Sequence, residues 1–238
     1  MGANAQTSVP VFTAGQVLTA QQQTEINTGI PVFATTTTRD AAFGGTGEKT
    51  LAEGQFAYIE ASNTTQYYDG AAWQTFGGGL TLVKTQTIGT AVSSVTVTNA
   101  FSASYENYMI VATGGTNSGT SGGAMSLGAT ATGYYYAGIY VTYGSATVNG
   151  YRASNATAWA DVINITANNT DGCAIIRAPF LAKTTQISYN VAQSDTGSYA
   201  LQAGGFLNNT TSYTDFTITW IGATATGGVI RVYGIQNS

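Results

Sequence analysis

The chain has 238 residues, enough for one or two domains, and only 8% of them are charged, about a third of the roughly 25% usual in soluble proteins. Seven Lys plus Arg against eleven Asp plus Glu leave a net charge of -4, and there is no histidine, which argues against nucleic acid as a partner and removes the usual general base, the Ser-His-Asp and Cys-His nucleophile systems and every His-containing zinc site. An apolar share of 43% excludes a disordered chain, and forty threonines and thirty glycines are the palette of an all-β protein.

The first residues, Met1-Gly2-Ala3-Asn4-Ala5-Gln6, have neither a basic nor an apolar signal-peptide region, and no apolar run approaches the roughly 18 residues of a membrane span. A protein made in a cytoplasm, without membrane insertion, is expected. Thr19 is suited to cap a short helix through Ala20, Gln21, Gln22 and Gln23, anchored by Leu18 and Ile26 and stopped at Gly29-Ile30-Pro31, and Thr38 to cap a further turn through Phe43. Residues 55–59 and 65–68 read as strands, and Asp69-Gly70 as a turn before Trp73, together a three-stranded meander too small to be stable alone. Gly77-Gly78-Gly79 punctuates the chain as a domain boundary would. Beyond it, Val95 and Val97, then Ile187, Tyr189 and Val191, then Phe216, Ile218 and Trp220 alternate with polar residues, as in strands with one buried face. Further strands are expected at 81–88, 107–113, 124–128, 134–141, 158–165, 173–178, 199–207 and 228–235, about eleven in all. The fold class is therefore mainly β: a small N-terminal α+β hairpin module over 1–80 and an antiparallel β-sandwich, jelly-roll-like, over 81–238.

Charge divides the chain at the same place. Residues 1–80 hold six acids against Arg39 and Lys49, whereas 81–238 hold five acids and five bases, so all the net charge lies in the first third. A surface with so few charges tends to associate, and unprotected sheet edges add to that tendency; cyclic homo-oligomerisation would cover both.

Motifs of chemistry are scarce. Residues 44–50 superficially resemble a phosphate-binding loop, but Glu48 separates Gly47 from Lys49 and would set a carboxylate against the phosphates. A glycosidase needs a pair of carboxylates, yet Asp69, Asp171 and Asp195 each precede or approach a glycine as turn residues do; Asp161, beside Trp159 in an apolar strand, is the one acid whose setting would raise its pKa. Cys173, in the apolar run Cys173-Ala174-Ile175-Ile176, is expected to be a buried, inert thiol. No catalytic residue, cofactor or metal ligand is assigned. The densest aromatic stretch, Tyr134-Tyr135-Tyr136 with Tyr140, Tyr143 and Tyr151, offers flat rings with polar tips. Tyr134, Tyr136, Tyr140, Tyr143 and Tyr151 are the candidate contacts to a receptor or to another subunit, with core packing as the plainer alternative.

Several segments resemble those of tailed-bacteriophage virion proteins. In the first third these are residues 12–20, Val32-Phe33-Ala34 with Thr38-Arg39-Asp40, residues 54–60, and Tyr68-Asp69-Gly70-Ala71-Ala72-Trp73, similar in order and spacing to an N-terminal module of phage minor structural and tail-fibre proteins. In the second part they are residues 180–185, Gly204-Gly205-Phe206-Leu207, residues 211–216, and Gly228-Val229-Ile230-Arg231-Val232-Tyr233-Gly234, similar to a C-terminal β-domain of that class. The resemblance implies a homotrimeric, non-enzymatic tail-fibre or tail-tip protein of the virion, attached to another virion protein through residues 1–80 and meeting a host-surface glycan or protein with its β-domain. A capsid decoration or head-fibre protein is the alternative, and a polysaccharide-cleaving tailspike a further one.

Overall fold

A computed structural model describes residues 7, 9, 11–20, 22–23, 29–45, 48–76, 79–119, 122–165, 170–193 and 199–236. The chain divides into two compact units, Met1–Gly78 and Gly79–Ser238.

In the first unit, the hydroxyl of Thr19 accepts from the Gln22 amide at 3.2 Å while the Gln22 side chain accepts from the Thr19 amide at 3.0 Å, a reciprocal cap; Ala20, Gln22 and Gln23 are helical, the Gln23 amide donating to the Thr19 carbonyl at 3.0 Å, whereas Gln21 and residues 24–28, Ile26 included, lie outside the described residues, as do Gly77 and Gly78. A helix of six residues, Thr36–Ala41, begins one turn before the position expected from sequence. Thr35 is its N-cap, and Thr38 is the third helical residue that bonds back to it, each side chain accepting the other's amide. Strands β1 (Val32–Phe33), β2 (Phe56–Ile59), β3 (Thr64–Tyr68) and β4 (Trp73–Thr75) form one sheet in that order, with β1 parallel to β2 and the rest an antiparallel meander. The turn after β3 is closed by Asp69, whose carboxylate accepts from the amides of Ala71 and Ala72 and from the Gln74 side chain; Gly70 takes a φ of 96° there, open to glycine and strained for most other residues. Among the described residues the core is small: Phe33, Ala42, Ala57 and Ile59. Beside it the buried Arg39 guanidinium lies 4.5 Å from the Trp73 ring centre and bonds to Asp40 and Gln66, so a charge is held against the core by a ring face, a carboxylate and an amide.

The second unit contains β5 (Leu80–Thr87), β6 (Ser94–Val97), β7 (Asn107–Thr113), β8 (Thr116–Asn117), β9 (Gly123–Leu127), β10 (Tyr134–Thr142), β11 (Val148–Ala156), β12 (Trp159–Ile165), β13 (Thr170–Asp171), β14 (Cys173–Arg177), β15 (Gln186–Ala192), β16 (Tyr199–Leu207), β17 (Phe216–Trp220), β18 (Ala225–Thr226) and β19 (Val229–Ile235). One sheet runs β11-β10-β16-β15-β14-β7-β19-β5, and a second runs β13-β12-β9-β17-β6. The quartet β5-β19-β7-β14 and the quartet β6-β17-β9-β12 have the connectivity of a jelly roll. Two insertions, β10–β11 and β15–β16, add four strands to one side of the first quartet, so the protein is mainly β, an antiparallel sandwich with one widened sheet.

Alternation determines what lies between the sheets. Val95, Val97, Ile187, Tyr189, Val191, Phe216, Ile218 and Trp220 are buried, as their spacing predicts, and join Tyr108, Ile110, Tyr134, Trp159 and Ile230 in one core. Two readings are corrected. Cys173 is exposed, because the inner face of β14 is taken by Ala174 and Ile176, leaving Cys173, Ile175 and Arg177 on the other side. Asp171 is not a turn residue but pairs with Asn164 in the short β12–β13 ladder. Asp195 and its neighbours lie outside the described residues. No helix among the described residues is long and apolar enough to cross a membrane.

Candidate functional site

The five tyrosines singled out from sequence do not form one surface. Tyr134 is fully buried; its hydroxyl accepts from the Leu127 amide at 2.7 Å and donates to the Thr130 carbonyl at 3.1 Å, and its ring meets Trp159 edge-on at 4.9 Å. Burial pushes its hydroxyl up to about 12. It belongs to the core. Tyr136, Tyr140 and Tyr151 are half-buried on the inner side of the widened sheet, Tyr136 against Tyr151 at 5.1 Å and Tyr140 against Tyr199 at 5.7 Å. Only Tyr143, 65% exposed in the turn after β10, faces water freely.

Around Tyr151 these rings enclose an acid. The Tyr151 hydroxyl donates to Asp161 Oδ2 at 3.0 Å, and removal from water raises the Asp161 carboxyl above its usual range, opposed by that bond. Tyr151, Tyr136 and Tyr189 are likewise raised, chiefly by burial, and Tyr199 is pushed up to about 12 by burial and by Asp161. Asp161 also adopts a φ of 51°, a left-handed conformation that Asp and Asn tolerate better than most residues. Its described hydrogen-bond partner is a phenol and not a second carboxylate. The arrangement is a polar inclusion at the rim of the core.

The opposite, outer side of the same strands carries a groove of 760 Å³, within the range of small-molecule sites, about 300–1,000 Å³. The ladder explains its shape. Tyr135 of β10 pairs with Phe206 of β16, and Phe206 with Gln186 of β15; the Tyr135 and Phe206 rings stack at 5.0 Å with planes 2° apart. In the neighbouring outward row, Ala137 pairs with both Gly204 and Arg152. Small residues thus make the floor beside a raised aromatic pair, and Arg152, Ser154, Thr184 and Gln186 supply polar groups around it. Arg152 is exposed, and the ion pair between Arg39 and Asp40 lies in the first unit.

Strand alternation sets Tyr135 on the face opposite Tyr134 and Tyr136, but the sequence carries no signal for its partner, since Phe206 reaches it only through the β10–β16 register. The glycine-rich loop of the first unit is closed on itself: Glu48 accepts from the Gly45 amide at 2.9 Å and Gly44 donates to the Lys49 carbonyl, while Thr46 and Gly47 lie outside the described residues. Among the described residues no three of His, Cys, Asp and Glu gather as metal ligands. Searches against protein-family models, curated proteins and solved structures give no match to the chain.

Proposed function

We propose that the protein is a structural component of a tailed-bacteriophage virion, of the tail-fibre or tail-tip kind, which attaches through its first unit, assembles as a homotrimer and turns its β-sandwich toward the host surface. The reading rests first on the segment resemblances, which extend over most of the chain. The observation in the fold that carries it is the difference in surface chemistry between the units. The first unit holds all of the net negative charge and bears a cluster of exposed Phe56 and Phe76 with half-buried Tyr67, ring centres 5.9–6.5 Å apart, the mixture of apolar centre and charged surroundings that suits a docked partner. The second unit is electrically balanced and presents a sheet of eight strands whose outer side holds a groove. Such a plan serves attachment through one unit and contact through the other.

Immunogold labelling of particles with an antibody to this chain tests the assignment. Gold at the tail is expected; gold over the head would replace the tail role with capsid decoration, and unlabelled particles would remove the virion role altogether. The reading is non-enzymatic, and new reducing ends released from host polysaccharide by the purified protein would overturn that part of it.

A further inference from the structure

We infer that the outer groove of the widened sheet is a binding site for an acidic oligosaccharide, held with a sugar ring against the Tyr135–Phe206 pair and its carboxylate toward Arg152. The inference deepens the host-contact reading above and rests on it for biological meaning, though not for the chemistry.

The groove exists because Gly204 lacks a side chain, and nothing in the fold requires glycine there. A Cβ built on Gly204 would meet only the Ile187 carbonyl oxygen, at an ordinary 3.4 Å, and its φ lies outside the left-handed range. Gly205 is different, because a Cβ there would collide with the Tyr135 carbonyl and approach the Trp159 indole nitrogen at 3.0 Å. Gly205 is explained by packing, whereas Gly204 keeps open a space that a larger residue would fill.

The lining selects the ligand. Parallel stacked rings present an apolar wall of the kind that C–H faces of sugars cover, and hydroxyl and amide groups at Ser154, Thr184 and Gln186 suit a ligand rich in hydroxyls. Among the described lining residues Arg152 is the one that is charged, so an anionic substituent is attracted and a cationic one is not. An extended peptide is disfavoured because β10, β15 and β16 are paired on both sides; of the lining strands only β11 stands at the sheet edge, and a peptide joined there would extend the sheet sideways rather than fill the groove. A nucleic-acid strand would need a track of cations, where the groove has one.

The test is titration calorimetry of the full chain with oligomers of galacturonate, glucuronate and sialic acid, and with maltooligosaccharides as the neutral control. At least one acidic oligomer is expected to bind at least tenfold more tightly than the neutral ones. Gly204→Leu should weaken that binding tenfold or more with an unchanged melting temperature, and Arg152→Gln, at an exposed position, should abolish the preference for acid. Failure of every acidic oligomer to bind, a preference for the neutral ones, undiminished binding by folded Gly204→Leu, or an acid preference retained by Arg152→Gln would overturn the inference. These outcomes are independent of where gold falls on the particle, so the groove and the virion role can fail separately.

Discussion

Asp161 shows what one ionisable group does inside this sandwich. Its carboxyl is raised because burial penalises the charged form more than the Tyr151 hydroxyl compensates. The folded state therefore keeps this proton to higher pH than the unfolded chain does. Its contribution to stability is fully present below the ordinary carboxylate range and is lost as pH rises from there through the raised folded value. Asp161→Asn, which keeps an acceptor for Tyr151 and tolerates the same left-handed backbone, should remove this decline: the melting temperature of the variant relative to the natural chain is expected to increase between acid and neutral pH. A constant difference would show that Asp161 does not titrate across that interval. Tyr134 gives a second measurement. Its hydroxyl satisfies the buried Leu127 amide and the carbonyl of half-buried Thr130. Tyr134→Phe should cost about 1–3 kcal/mol in urea denaturation, the usual cost of leaving such groups unpaired.

At the scale of elements, close strand approach is imposed by small residues on one side and tolerated on the other, which makes Gly204 and Gly205 a matched pair. Gly205→Ala pushes a methyl into the Tyr135 carbonyl and should destabilise the unit by about 1–3 kcal/mol, as overpacking does. Gly204→Ala should leave the melting temperature within the small range of surface changes. Equal effects would contradict the register of β10 on β16. The same elements show how far sequence carries. Wherever an apolar residue alternates with Thr, Ser or Asn, as along Phe216, Ile218 and Trp220, both the strand and its buried face were legible. In the run from Cys173 to Ile176 the strand was legible but its phase was not, because apolar side chains stand on both faces and only pairing with β7 and β15 decides which are covered. Strand β11 was missed: Gly150, Ser154 and Asn155 are turn formers by composition, and at a sheet edge they have half the usual packing to satisfy. The helix start moved from Thr38 to Thr35 because four consecutive threonines, Thr35 to Thr38, offer equivalent caps and the fit of Phe33 and Ala42 in the small core chooses among them. The aromatic groove was illegible for a different reason, since its two walls belong to strands far apart in sequence.

For the whole molecule, the small core of the first unit and the sparse charge of both argue for association. Four buried apolar residues among those described are few for a unit expected to stand alone, and each unit exposes further apolar side chains, Phe76 in the first and Leu80 and Leu82 in the second. Light scattering at micromolar concentration should give the mass of three chains of 24.5 kDa, and a single-chain mass would remove the trimer. Strand β19 carries a consequence for synthesis. It sits between β5 and β7 and is paired with both, yet it is made last of the three. Until residues 229–235 leave the ribosome, at about 5–20 residues per second, the strand that opens this unit has no neighbour in its sheet. The nascent chain therefore exposes the facing edges of β5 and β7 until β19 has emerged, and this sheet can close only then.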